Sequence, residues 1–205
     1  MKHWSPSLKV FLVVFILFEV VGWFFVGSTE RLNQLLLING ANNALADIVF
    51  QGFTSIAEVV LPVLFLIYLF RFRKEYALPY VYSYALSTAL IQGLKHFVFV
   101  DSLRPLAYFA STGVKWHIVP GLLISEFNSM PSGHTGAAFF MFFWVAVLLK
   151  RFYWGLFAGI LAVGVAYSRV YLFQHFPVDT LVGAFIGTGS SYLFYHINYA
   201  KSSSK

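Results

Sequence analysis

Long apolar stretches joined by short polar turns run through the chain, at residues 8–27, 52–70, 78–98, 135–149, 153–170 and 178–197. A helix that crosses the hydrocarbon takes about 20 mostly apolar residues. The pattern therefore predicts an all-α integral membrane protein with about six transmembrane helices. The fourth stretch is short, and its polar start at Pro131-Ser132-Gly133 is expected at the interface. The first is too long for a secretory signal, and no small-x-small cleavage site follows Gly27, so it is expected to stay as a helix. Residues 29–50 mix Leu35, Leu36, Leu37 and Ile38 with Asn39, Asn42, Asn43 and Asp47, which predicts an interfacial helix and turn along the outer surface. Residues 99–130 form a long connection for so small a chain, and long loops tend to carry function. No internal repeat is visible, and residues 1–205 read as one membrane-embedded domain.

Composition agrees. The chain is 59% hydrophobic and only 11% charged, against about 25% charged residues in an average globular protein. So few charges cannot cover a water-facing surface, and the apolar residues must meet lipid. Cysteine is absent, which removes disulfides, thiolate metal sites and a cysteine nucleophile. The net charge of +6 comes from short clusters between apolar runs, which read as topology signals, and nucleic-acid binding is not expected.

Those clusters set an orientation. With six helices, nine basic residues (Lys2, Lys9, Arg71, Arg73, Lys74, Lys150, Arg151, Lys201, Lys205) fall on one side and five (Arg31, Lys95, Arg104, Lys115, Arg169) on the other. The side with more Lys and Arg in short loops is expected to be cytoplasmic. Both termini would then be cytoplasmic, and residues 99–130 and 169–177 would face outward. A bacterial inner membrane with the catalytic pocket on its periplasmic or outer face fits this reading.

Three polar motifs map to the outer ends of these helices: Arg104-Pro105, Pro131-Ser132-Gly133-His134, and Ser168-Arg169-x5-His175-x3-Asp179. At the start of a helix the first backbone N–H groups lack partners, and the dipole favours an anion. Gly133 would let the backbone approach phosphate oxygens, Ser132 could add a hydroxyl donor, and His134 could protonate a leaving oxygen. Alternatively, this run is a polar cap with an interfacial histidine. His175 and Asp179 are four apart and can share a face. An Asp that accepts from one ring nitrogen leaves the other free to attack phosphorus, and Arg169 offers a planar fork to phosphate oxygens. Alternatively, these residues form an interfacial ion pair and a capping Asp. Each four-position match arises by chance in roughly one chain per thousand of this length. Both occur here in order on one predicted face, which favours the phosphate reading.

The motifs resemble those of the type-2 phosphatidic acid phosphatase family: Lys-x6-Arg-Pro, Pro-Ser-Gly-His, and Ser-Arg-x5-His-x3-Asp. The second and third are matched without deviation, and the six-helix layout extends the resemblance over most of the chain. It implies a phosphohistidine mechanism without metal or cofactor. His175 would be the nucleophile, Asp179 its orienting partner and His134 the general acid, while Lys95, Arg104, Ser132, Gly133 and Arg169 would bind phosphate. The implied substrate is a lipid phosphate monoester or pyrophosphate of the phosphatidylglycerophosphate, phosphatidic acid, undecaprenyl pyrophosphate or lipid A type. Membrane lipids are the expected surroundings, with no obligate protein partner. Transfer to a second lipid is an alternative to hydrolysis, and an anion transporter is the reading from a different class. One departure stands out: eight residues separate Lys95 from Arg104, where the family has six. A two-residue shift turns a helical side chain by roughly 200°, so Lys95 can serve only if residues 99–103 loop out.

The remaining polar residues have plainer readings. Glu19 and Glu58 within apolar stretches suit hydrogen bonds to a neighbouring helix, or protonation, better than an ion path. His96, His117 and His196 have no ligand spacing, so no metal is expected. Gly155-x3-Gly159 and Gly183-x3-Gly187 suit close helix packing within the chain.

Overall fold

The computed structural model describes residues 4–56 and 60–199; Glu58 and the terminal cations Lys2, Lys201 and Lys205 lie outside them. The described residues fold into helices α1 (Pro6–Ser28), α2 (Arg31–Asn39), α3 (Ala44–Ile56), α4 (Val60–Phe72), α5 (Lys74–Gly93), α6 (Pro105–Tyr108), α7 (Gly133–Leu148), α8 (Phe152–Tyr171) and α9 (Pro177–Tyr199), with a π-helical turn (Leu94–Val98) continuing α5. Among the described residues, each predicted apolar stretch holds helix. By length and composition α1 and α8 can each cross a membrane, and α3 with α4 meets the same test as a pair.

Residues 29–50, expected as a helix and turn, hold α2, a turn and also the start of a second helix, because Asn39-Gly40 closes α2 and Asn43 opens α3. The Asn43 side-chain oxygen accepts the Ala46 N–H at 2.9 Å, a capping bond. Nothing between Ala44 and Ile56 then breaks the helix, so α3 runs through Gly52, where the second apolar stretch was expected to begin.

The bundle is built on α7, which packs on α8 and α9, with α1 against α8 and α5 against α9. Phe139, Phe140, Phe143 and Trp144 of α7 are fully buried at its centre. Two glycine pairs allow the closest approaches. A Cβ on Gly183 or Gly187 would lie 2.4 Å from the Ser132 carbonyl oxygen or 2.2 Å from that of Gly136, and one on Gly155 1.9 Å from that of Ser7. Both glycine motifs thus serve packing within the chain. The α9–α7 seam also fixes the backbone of Ser132, at the mouth of the site.

Antiparallel packing sorts the ends of the helices. Lys150 and Arg151 join α7 to α8, Arg73 joins α4 to α5, and Tyr199 at the end of α9 donates to the Glu75 carbonyl at 2.8 Å. At the opposite end stand the N-termini of α7 and α9, the C-termini of α5 and α8, and the 99–132 connection. That connection is pinned to itself: Arg104 N–H donates to Glu126 O at 2.8 Å, and Ser129 N–H to Ser102 O at 3.1 Å. An aromatic cluster of Phe109, Trp116, Phe173 and Phe176 anchors it to the turn between α8 and α9.

Candidate active site

The turn after α8 begins where the helix can no longer continue. Phe173 takes a φ of 60°, a conformation that strains a non-glycine residue, and its buried ring is held 4.6 Å from that of Trp116. The N–H groups of Gln174 and His175 both fold back to the Arg169 carbonyl, at 3.0 and 3.1 Å. Pro177 then opens α9, where its missing N–H costs nothing. Asp179, in the first turn, reaches back to accept the Phe176 N–H at 2.9 Å and the Ser129 hydroxyl at 2.5 Å. This is the reciprocal arm of a capping box. The same carboxylate oxygen lies 3.5 Å from His175 Nδ1, long for a hydrogen bond but close enough to hold the ring proton on that side. His175 thus sits just before α9 rather than on it, with its imidazole almost wholly buried.

Ser132 caps α7. Its hydroxyl oxygen accepts from Thr135 N–H at 3.4 Å and from the Thr135 hydroxyl at 3.0 Å, so its own proton remains available as a donor. Its N–H donates to the Asp179 carbonyl at 2.9 Å, tying the start of α7 to the start of α9. Gly133 is the first residue of α7, and a Cβ built there meets nothing within 4 Å. The backbone at this helix start therefore faces open space, as an anion site requires. His134, half-buried, follows directly and stands in the electrostatic field of Arg169, His175, Arg104 and Lys95.

Three cations from separate elements surround these groups. Arg169 points one arm at the Thr54 hydroxyl of α3 and donates from the other to Gln174 Oε1 at 2.9 Å. Arg104 donates to the same Oε1 at 3.0 Å and to the Phe127 carbonyl at 3.0 Å. Lys95 Nζ donates to the Asn128 carbonyl at 3.0 Å, within electrostatic range of Arg104, Asp179 and Arg169. The extra spacing before Arg104 is absorbed in two places: the π-helical turn, which carries Lys95 itself, and a turn in which Ser102 N–H donates to Phe99 O at 3.1 Å. All eight candidate site residues therefore gather at one end of the bundle.

Burial dominates the electrostatics. It pulls the His175 imidazole down to about 4, against the opposing pull of Asp179 and with help from Arg104 and Arg169. His175 is accordingly neutral at pH 7, as a nucleophilic ring nitrogen must be. Burial also lowers Arg104, while Asp179 raises it. Lys95 and Arg104 both lie in the field of Asp179, a carboxylate that already accepts from Ser129 and Phe176. The site is built for an anion. Among the described residues no group of three or more His, Asp or Glu is placed to hold a metal ion.

Sequence reasoning missed several participants. Gln174 lies among the five unspecified positions of its motif, and Thr54 and Ser129 lie outside every motif. A second polar cluster also went unread: His117 Nε2 lies 2.9 Å from Asp47, and the Tyr171 hydroxyl donates to the same carboxylate at 2.6 Å. Asn39 accepts the His117 N–H at 3.0 Å and donates to its carbonyl at 2.8 Å. This cluster clamps the 99–132 connection to α2, α3 and α8. Glu19 takes its hydrogen bond from Trp23 of its own helix at 2.9 Å, not from a neighbouring helix.

Comparison with known proteins agrees with this geometry. Over 168 residues the chain is 29% identical to the lipid A 4'-phosphatase of Bacteroides thetaiotaomicron, covering 80% of this chain and 74% of that protein. It is 28% identical over 196 residues to the undecaprenyl-diphosphatase of Sulfolobus acidocaldarius, covering 91% and 86%. The crystal structure of Aquifex aeolicus LpxE superposes with a TM-score of 0.68 at 29% identity, covering 80% of this chain and 93% of that one. A PAP2 type phosphatidylglycerolphosphate phosphatase from Bacillus subtilis shares the fold, with a TM-score of 0.67 at 19% identity over 99% and 100% of the two chains. Residues 76–203, which hold all three motifs, match the PAP2 superfamily, and the chain belongs to that family.

Proposed function

We propose that this protein is an integral membrane phosphatase that removes phosphate from a lipid phosphate ester or anhydride through a phosphohistidine on His175. The observation that carries the reading is the convergence of a buried neutral histidine, a second histidine and three cations around the open helix start at Gly133. In this mechanism Nε2 of His175 attacks phosphorus in line while Asp179 holds the proton on Nδ1. As the bond to the leaving oxygen breaks, His134 supplies its proton. An arriving phosphate dianion provides the negative charge against which an imidazolium at His134 is stable. Lys95, Arg104 and Arg169, with the Ser132 hydroxyl and the backbone at Gly133, hold the equatorial oxygens as charge develops. Water then attacks the phosphohistidine, with His134 taking its proton, and phosphate leaves. The residues supply these roles without a metal.

A lipid substrate is supported by the space beside the site. A partly polar cavity of about 180 Å³ between α5 and α7 is bordered by Ser87, Thr88, Gln92 and Gly133. It shares Tyr84 and Ala137 with an apolar cavity of about 150 Å³ lined by Pro62, Val63, Leu66, Tyr80 and Val81. A head group at Gly133 and a tail along α4 suit that sequence of linings. A larger groove, about 540 Å³ between α1, α8 and α9, is apolar and is lined by none of the candidate site residues, so it is set aside as the substrate site. The names of two relatives, a lipid A 4'-phosphatase and an undecaprenyl-diphosphatase, support lipid A phosphates and undecaprenyl pyrophosphate as candidates beside phosphatidylglycerophosphate and phosphatidic acid. Six spans, cytoplasmic termini and an outward-facing pocket in a bacterial inner membrane complete the reading. Phosphate release by the purified protein from a panel of these lipids, in the presence of a chelator, tests it. Turnover of one or more is expected, and turnover of none contradicts it.

A further inference from the structure

Gln174 is an uncharged side chain that binds two of the three cations in the pocket. It is only 5% exposed. Its Oε1 accepts from Arg104 Nη1 at 3.0 Å and from Arg169 Nη2 at 2.9 Å, and its Nε2 donates to the Leu123 carbonyl at 3.1 Å. The partners fix which way the amide points: reversed, it would turn an NH₂ group toward two guanidiniums and an oxygen toward a carbonyl. We propose that Gln174 is a positioning residue that yokes the Arg104 and Arg169 forks into one phosphate-binding unit, an inference that rests on the pocket's being a phosphoryl-transfer site.

The chemistry explains why this position holds an amide. Arg104 arrives from the outer loop and Arg169 from the end of α8, and nothing covalent sets their separation. Two guanidiniums brought together repel, and a neutral acceptor between them stabilises the pair. A carboxylate would do so more strongly, but it would neutralise charge that the phosphate needs. The Gln174 oxygen orients both forks without placing a negative charge between them. Its bond to Leu123 also ties this unit to the 99–132 connection, so one side chain links the loop to both forks.

The test uses purified full-length protein, orthovanadate as the probe and the best lipid substrate of the panel. Q174A is expected to lose about tenfold to a hundredfold in kcat/KM, with vanadate affinity falling in parallel; this is the range for a hydrogen bond to a charged group. Q174E keeps the acceptor but adds a negative charge facing the phosphate. At neutral pH it is expected to bind vanadate more weakly than Q174A, and to recover relative to wild type as the pH falls and its carboxyl takes a proton. A packing defect would not produce that recovery. If Q174A binds vanadate as tightly as wild type or more tightly, the oxygen is only a placeholder and the proposal is overturned. Equal losses in Q174A and Q174E with no pH dependence overturn it too. Should Q174A fail to fold, the pH profile of Q174E decides alone. Wild-type protein that is insensitive to vanadate removes the phosphoryl-transfer reading itself, and the yoke with it.

Discussion

At the residue scale, the clearest separation of function from folding is at Gly133. A methyl group added there meets no protein atom within 4 Å, so Gly133→Ala is expected to leave the thermal unfolding midpoint unchanged. The methyl would nonetheless stand where the proposed mechanism brings phosphate oxygens to the start of α7. A loss of kcat/KM of about a hundredfold or more is expected, the magnitude seen when one oxyanion-binding group is removed. An active Gly133→Ala would mean that the anion binds elsewhere. Pro131, Ser132, Gly133, His134, Arg169, His175 and Asp179 stood out in the sequence as candidates because their types and spacing suit that chemistry. Gln174 was not, since a glutamine beside a histidine has no signal of its own. Its importance arises only when Arg104 and Arg169, distant in sequence, arrive on either side. The same holds for Asp47, His117 and Tyr171.

At the scale of elements, the apolar runs announced the helices, and the glycine pairs announced which helices approach closely. The π-helical turn at Leu94–Val98 was hidden, because its residues, Leu-Lys-His-Phe-Val, would suit an ordinary α-helix equally well. Only its tertiary setting, with Lys95 held to Asn128, accounts for it. That turn and the one after it are the physical answer to the longer spacing before Arg104, and they keep Lys95 with the other cations while Lys115 stays exposed on the loop. Lys95→Ala is therefore expected to lower kcat about a hundredfold to a thousandfold, and Lys115→Ala only a few-fold. With Arg104→Ala as the reference, a Lys95→Ala enzyme within a few-fold of wild type would remove Lys95 from the site.

At the scale of the whole molecule, the sorting of helix ends places the motif residues opposite the joints that hold Arg73, Lys150 and Arg151. In the orientation proposed from the charge pattern, those joints face the cytoplasm. The chain has no cysteine, so single cysteines at Ser111 and Lys150, both exposed, report on opposite sides. In intact cells an impermeant thiol reagent is expected to label Ser111→Cys, and to reach Lys150→Cys only after the membrane is opened. The reverse pattern would turn the pocket toward the cytoplasm. The central claim is that His175 carries the phosphoryl group, and its most direct test is to trap the intermediate. Enzyme mixed with a lipid substrate radiolabelled in the phosphate to be transferred, and quenched in base within one turnover, is expected to carry an acid-labile, base-stable label. Peptide mapping should place that label on His175, and His175→Ala should carry none. A label on any other residue, or undiminished turnover in His175→Ala, would contradict the account.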